Sequence, residues 1–378
     1  AGAQGGNFVV LITNKQNDLP SWFFLDNPCI KTVHVDLPTA EERRAFVEGE
    51  ALGNFFREEV YEQDMEEYRE HPKELSELIN RFVSRTEGMT NIEMVDLSYL
   101  SRDLDLRVPE LCSVIDWYLY GIRENPWEDA RLRERVHKGE GILTDKVKGQ
   151  PAAIKAVMDV IKRSIVGLSG IQHKSGSKPK GILFFAGPTG TGKTETAKAI
   201  AELLFGDAIQ NEKTFIRFDM SEYSQSHSDQ RLLGAPPGYV GYEAGGQLTN
   251  AVRKNPFCVL LFDEIEKAAP SIMDKFLQIL EDGRMTDGQG HTVYFSESIL
   301  IFTSNLGIRN REQQSDNVTM DMPYEEVSSR IRAAIDQYFK KELGRPEILN
   351  RIGENIIVFD FIRSEIAAEI LSMQLHAI

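Results

Sequence analysis

The sequence predicts an α/β protein: a parallel sheet flanked by helices, joined to a helical subdomain. Three observations predict it. Short apolar runs, 8-FVVLI-12, 182-ILFFA-186, 259-VLLF-262 and 299-ILIF-302, end in polar or small residues, as strands buried on both faces do. Between them lie stretches whose apolar residues recur three and four apart, the helical period. The octapeptide 187-GPTGTGKT-194 stands between one such run and one such stretch, which is the strand–loop–helix setting of a phosphate-binding loop.

Taken in order, 1-AGAQGG-6 reads as a flexible lead-in and 8-FVVLI-12 as a buried parallel strand ending in 13-TN-14. A second short strand is expected at 32-TVHVDL-37. Pro38 and Thr39 then precede a helix with acids in its first turn. Residues 47–120 read as mostly helical, with Leu75, Leu78, Ile79 and Phe82 at helical spacing. Charge and proline mark 121–146 as a linker. Beyond it 150-QPAAIKAVMDVIKRSIVGL-168 places Ile154, Val157, Val160, Ile161 and Ile165 on one helix face, and the polar loop 170–181 leads into 182-ILFFA-186. The expected division is 1–46, 47–120, the linker, a main module over 147–360 and a further helical piece over 361–378.

Bulk composition narrows the functional classes. A chain of 378 residues, 41% hydrophobic and 27% charged, is long enough for two cores. No apolar run approaches the ~20 residues of a membrane span. The net charge is −15, of which −12 falls in residues 1–146. So acidic a chain has no general attraction to phosphate backbones, and neither nucleic acid nor membrane is an expected partner. Cys29, Cys112 and Cys258 are scattered and odd in number, which points to small buried side chains in a reducing cytoplasm rather than disulfides or zinc.

The loop Gly187, Pro188, Thr189, Gly190, Thr191, Gly192, Lys193, Thr194, with Glu195 after it, carries the clearest chemistry. Small residues let backbone N–H groups close around a β-phosphate at a positive helix end. Lys193 is expected at the β and γ oxygens, and Thr194 on Mg²⁺ through its hydroxyl. ATP and Mg are therefore the expected ligands. Some 70 residues on, 257-FCVLLFDE-264 ends in two carboxylates. A lone pair of this kind ordinarily caps the next helix. Downstream of a phosphate loop, Asp263 is instead expected to hold Mg²⁺ and Glu264 to polarise the attacking water. Asn305, closing 299-ILIFTSN-305, falls on the same sheet edge and is expected to orient the water or the γ-phosphate.

A resemblance adds to this. The segments 147-VKGQ-150, 219-DMSEY-223, 234-GAPPGYVGYEAGGQLTNAVRKNPFCVLLFDEIEKA-268, 280-LEDGRMTDGQGHTV-293, 303-TSNLG-307 and 345-RPEILNRI-352 resemble, in order, the second ATPase module of ClpA/ClpB-type AAA+ protein unfoldases. The resemblance implies P-loop AAA+ modules with helical lids, assembled as a homo-oligomeric ring, usually a hexamer, that threads polypeptide substrates through a central pore, with an adaptor as a possible partner. It implies that Val147 and Lys148 enter the adenine pocket. Tyr239 stands where the family's pore aromatic grips substrate, with Val240 beside it and Tyr242, Glu243 and 287-DGQGH-291 as secondary contacts. Arg351 matches the finger supplied to a neighbour's γ-phosphate, worth roughly 10³–10⁵ in rate; Arg345 is the fallback.

Residues 8–47 look like the end of a preceding AAA large domain with Asn14 as sensor, and 77–97 like its lid. No phosphate loop accompanies that first part, and 24-FLDNPCIKTV-33 lacks the family's arginines, so weak hydrolysis or a scaffold role is expected there. The lid sensor of the second module is not reached. Two alternatives share the catalytic residues: a protease-feeding unfoldase, disfavoured by the polar segment 306–326, and a ClpV-like motor acting on a contractile sheath. A scaffold or DNA-acting protein stands outside the class and is opposed by Glu264, the acidity and the tyrosines.

Overall fold

The computed structural model describes residues 9–13, 19–24, 27–31, 33, 35–121, 125–165, 178–206, 214–225, 228–235, 242, 245–288, 290, 292–308 and 318–376. Five of its strands build one all-parallel sheet: β1 (Gly181–Ala186), β2 (Phe215–Asp219), β3 (Val259–Asp263), β6 (Ile299–Ser304) and β7 (Ile356–Val358), in the order β2-β3-β6-β1-β7. A hairpin of β4 (Arg284–Thr286) and β5 (Thr292–Tyr294) stands apart from it.

Alternation sorts the strand side chains onto two covered faces. Phe184, Leu260, Phe262, Leu300 and Phe302 pack with Phe218 into one core. Over them lie α11 (Ser228–Leu233), α12 (Gln247–Lys254), α13 (Pro270–Asp282), α14 (Tyr324–Gln337) and α15 (Pro346–Ile352). The odd-numbered set, Leu183, Phe185, Val259, Leu261, Ile299 and Ile301, packs under α7 (Ala130–His137), α8 (Gly139–Lys146), α9 (Pro151–Ile165) and α10 (Lys193–Phe205). Burial on both faces is why these strands read as unbroken apolar runs.

The helical subdomain has its own core. After α1 (Ser21–Phe24), α2 (Ala40–Ala45) opens on a Thr39–Glu42 capping box. Then α3 (Glu58–Glu70), α4 (Pro72–Arg85), α5 (Asn91–Asp103) and α6 (Ser113–Tyr120) follow, and Phe55, Phe82, Met94, Leu97, Val114 and Ile115 are buried among them. The acidic run of α3 faces solvent except Asp64, which is buried and paired with Arg107. The last described helix is α16 (Ser364–His376).

Four expectations are corrected. Residues 9–13 form no strand, and Val9, Val10 and Ile12 are 85%, 79% and 93% exposed. The described part of 32–37 forms none either, with Val35 93% exposed. A strand exists only through a neighbour's hydrogen bonds, and among the described residues the sheet is built entirely from segments between 181 and 358, none of which pairs with these runs. Residues 121–146 are not a linker in their described part: α7 and α8 put Leu132, Val136 and Leu143 into the core beneath the sheet, with Trp127 beside them. Trp127 Nε1 donates to the Glu297 carbonyl at 3.2 Å, and its ring meets Phe205 edge-on. Finally, Cys112 and Cys258 are buried, but Cys29 is exposed.

Candidate active site

Strand order creates the site. Because β6 lies between β1 and β3, the C-terminal ends of these three neighbours converge, with Ala186 level with Ser304 and Phe302 level with Phe262. Ligands of open parallel sheets bind at this edge. The loop from Gly187 to Gly192 leaves β1 and runs into α10, whose first residue is Lys193. Gly187 has φ +147°, and a Cβ there would lie 2.5 Å from the Phe359 carbonyl oxygen, so only glycine fits. Thr191 closes the turn by donating its hydroxyl to the Pro188 carbonyl at 2.8 Å. Thr189, Gly190 and Glu195 are exposed, and Thr194 is half-buried at the helix start.

Lys193 is the hub of the edge. Its Nζ donates to the carbonyls of Gly187 and Pro188 at 2.6 and 2.8 Å and to Asn305 Oδ1 at 3.0 Å. Burial pushes the ammonium down to about 8, against the pull of Asp263, Glu266 and Glu264. Asn305 spans the site: its Nδ2 donates to Glu264 Oε1 at 3.1 Å. Lys193, Asn305 and Glu264 are thus joined in one chain of hydrogen bonds.

The two carboxylates differ in surroundings. Asp263 is buried, accepts the Thr303 hydroxyl and lies 2.7 Å from an Arg217 guanidinium nitrogen. Glu264 is half-buried with φ +57° and ψ +54°, a left-handed conformation rare for a side-chain-bearing residue, and its carboxylate pairs with Lys267. Strained backbone of this kind clusters at functional sites. Arg217, Glu266, Lys267 and Thr303 are contacts that sequence reasoning missed. The -DEIEK- and -TSN- runs contain three of them, but nothing in a linear pattern says which side chains meet.

The region of Val147 and Lys148 adjoins the loop. Val147 is buried, and a Cβ on Gly192 would lie 3.0 Å from its Cγ1. Lys148 pairs with Glu369 of α16 at 3.4 Å. Gln150 exchanges two hydrogen bonds of 2.9 Å with the Asp360 backbone, clasping the chain just before α16. This clasp also escaped sequence analysis.

Other expected residues lie apart from this cluster. Arg351 is on α15 and donates to Glu281 at 2.8 Å; Arg345 donates to Asp274 at 2.5 Å. Both ride on α13 rather than on Lys193 or Glu264 of the same chain. Tyr239, Val240, Glu243 and Asn14 lie outside the described residues, whereas Tyr242 is half-buried. The base of that loop is tight: a Cβ on Gly246 would be 2.3 Å from the Leu233 carbonyl carbon, and Gly288 N donates to the Leu233 carbonyl at 3.2 Å. The two loops carrying Tyr239 and 287-DGQGH-291 therefore share one root.

Among the described residues no group of three or more His, Cys, Asp or Glu is placed to hold a metal, and no helix is long and apolar enough to cross a membrane. A Mg²⁺ ion needs no such cage, since it is commonly held by one or two carboxylates plus substrate phosphates. Asp263 and the Thr194 hydroxyl fit that donor set.

Fold and site together define a P-loop nucleotide-binding module. Residues 178–355 match the family described as AAA domain (Cdc48 subfamily). Similar proteins include the chaperone protein ClpB of Meiothermus ruber, 45% identical over 65% of this chain and 27% of the relative. ClpB of Leptolyngbya boryana is 42% identical over 79% and 32%, and ClpB 1 of Synechococcus elongatus 48% over 62% and 25%. The chain therefore carries an AAA+ ATPase module of the ClpB type. It spans about a quarter to a third of the length of these curated relatives.

Proposed function

We propose that the chain is part of an ATP-driven ring motor that unfolds or disaggregates polypeptides by threading them through a central pore. The observation that carries this reading is the continuous link Lys193–Asn305–Glu264 across three adjacent strand ends. That the relatives are named chaperones supports the polypeptide substrate over a peptidase-coupled or sheath-directed role.

In this reading the backbone N–H groups of the loop surround the β-phosphate, and Lys193 turns from its loop carbonyls to the β and γ oxygens. Val147 and Lys148 border the adenine. Thr194 and Asp263 would hold Mg²⁺, which supplies neutralising charge to the phosphate oxygens. Glu264 takes a proton from water as the water oxygen attacks the γ-phosphorus and the bond to the β–γ bridging oxygen breaks. Asn305 keeps that carboxylate and the lysine in register. Arg351 acts in the site of the next subunit, which its exposure and its pairing with Glu281 rather than with Lys193 or Glu264 support; such a finger lowers the barrier by about 4–7 kcal/mol.

The assembly is a homo-oligomer, read as a hexamer, working in the cytoplasm with polypeptide clients and an adaptor. Residues 47–120 serve as the lid of a preceding AAA module and 361–378 open the lid of the second. Tyr239, Val240 and Tyr242 form the moving grip. Steady-state ATPase of the assembled full-length protein, with and without an unfolded polypeptide, tests the motor. Substrate should stimulate the parent, and the stimulation factor should fall to one in Tyr239→Ala. A parent that does not respond to polypeptide refutes the motor.

A further inference from the structure

Thr303 stands between the two carboxylates and has no part in the reading above. It is 1% exposed on β6, and its single hydroxyl works in both directions. The hydrogen goes to the Asp263 carboxylate, and a lone pair accepts the Glu264 backbone N–H at 3.0 Å. One residue further along, the Asn305 N–H donates to Glu266 Oε1 at 3.0 Å. Two rungs therefore tie the end of β3 to the end of β6, beyond the point where the strand ladder stops at Phe262 and Phe302.

We propose that Thr303 is a positioning residue for hydrolysis, and that Glu266 completes the brace by holding the Asn305 backbone. The inference rests on the roles proposed for Asp263 and Glu264. Glu264 sits in left-handed backbone, which a residue with a Cβ keeps only when its surroundings impose it. The N–H bonded to Thr303 is the group that anchors that conformation. Released, Glu264 relaxes toward ordinary φ and its carboxylate swings away from Asn305 Nδ2. Asp263 keeps Arg217 at 2.7 Å, but loses the contact that orients its second oxygen. Nucleotide affinity, by contrast, comes from the loop around Lys193, which Thr303 does not touch.

The test compares Thr303→Val, Thr303→Ala and Thr303→Ser in the assembled full-length protein, with Glu264→Gln as control. Valine keeps the shape and removes both hydrogen bonds; alanine covers the case in which valine does not fold; serine keeps the hydroxyl. Kcat should fall about 10²-fold in the valine and alanine variants, the cost of a small misplacement of a reacting group. The affinity for a fluorescent ATP analogue should stay within about 3-fold of the parent, because the loop contacts are intact. Serine should restore kcat. Parent-like kcat in either valine or alanine overturns the proposal. So does a loss that serine does not repair, or one matched by equal loss of nucleotide affinity, since each marks a merely structural hydroxyl. The control separates the levels: a Glu264→Gln protein hydrolysing at the parent rate removes the underlying reading. Arrest there with full activity in Thr303→Val removes the brace alone.

Discussion

Phe262 is the residue on which the sheet edge rests, and Phe262→Ala is the most informative core substitution. It is fully buried on β3, immediately before Asp263. Its ring centroid lies 4.6 Å from Phe276, 5.3 Å from Phe302 and 5.7 Å from Phe218, with Phe276 edge-on and the other two stacked. Truncating a buried phenylalanine costs about 3–5 kcal/mol. The upper end is expected here, because α13 and the neighbouring strands hold the cavity walls on both sides and leave little room to collapse. Aromatic pairs contribute about 0.5–1.5 kcal/mol beyond buried area. A double-mutant cycle of Phe262→Ala with Phe276→Ala, read by urea unfolding followed through tryptophan fluorescence, should therefore give a coupling in that range. A total loss below about 2 kcal/mol, or a coupling indistinguishable from zero, refutes the claim that this cluster carries the module.

Four further outcomes follow from particular contacts. Glu264→Gln should bind ATP like the parent and arrest turnover, measured by analogue binding alongside phosphate release. Arg351→Ala should abolish hydrolysis in homogeneous rings yet recover it in mixed rings with a Lys193→Ala partner; without recovery the finger passes to Arg345 or the trans mechanism falls. Gln150→Ala strands the Asp360 N–H and carbonyl, a cost of about 1–3 kcal/mol, and hydrogen exchange should rise in α16 ahead of the sheet. The Arg345 hydrogen bond, helped by its charge, holds the Asp274 carboxyl below its usual range. Its folded-state pKa lies below the unfolded value, so the stabilisation is full above the unfolded pKa and is lost as pH falls through the folded one. The pair is about half exposed, so solvent screening keeps its effect small. Asp274→Asn should erase that acid-side component, as read by thermal unfolding between neutral pH and strongly acidic solution.

Much of the site was legible because its pieces are local. The phosphate loop, the Asp263–Glu264 pair and Asn305 each follow an apolar run, and a strand followed by a turn puts its last residues at the sheet edge whatever the sheet order. The misread segments fail for two reasons. Apolar residues at 9–12 state a preference for burial, but strand formation depends on a partner that the same segment cannot supply. The charges of 121–146 suggested solvent exposure, yet Leu132, Val136 and Leu143 lie on one side of α7 and α8 and meet α9 and α10.

The sequence by itself determined the chemistry available: glycines where backbone must approach phosphate, a lysine and a threonine at a helix start, carboxylates and an amide at strand ends. These are choices of residue type within a few positions, governed by local sterics and capping. Only the tertiary structure decided which of them meet. Placing β6 between β1 and β3 brings Thr303 to Asp263 and Asn305 to Lys193, and folding the chain back on itself brings Gln150 to Asp360, 210 residues away. Such pairings depend on the packing of two covered sheet faces, a property of the whole chain that no short window contains.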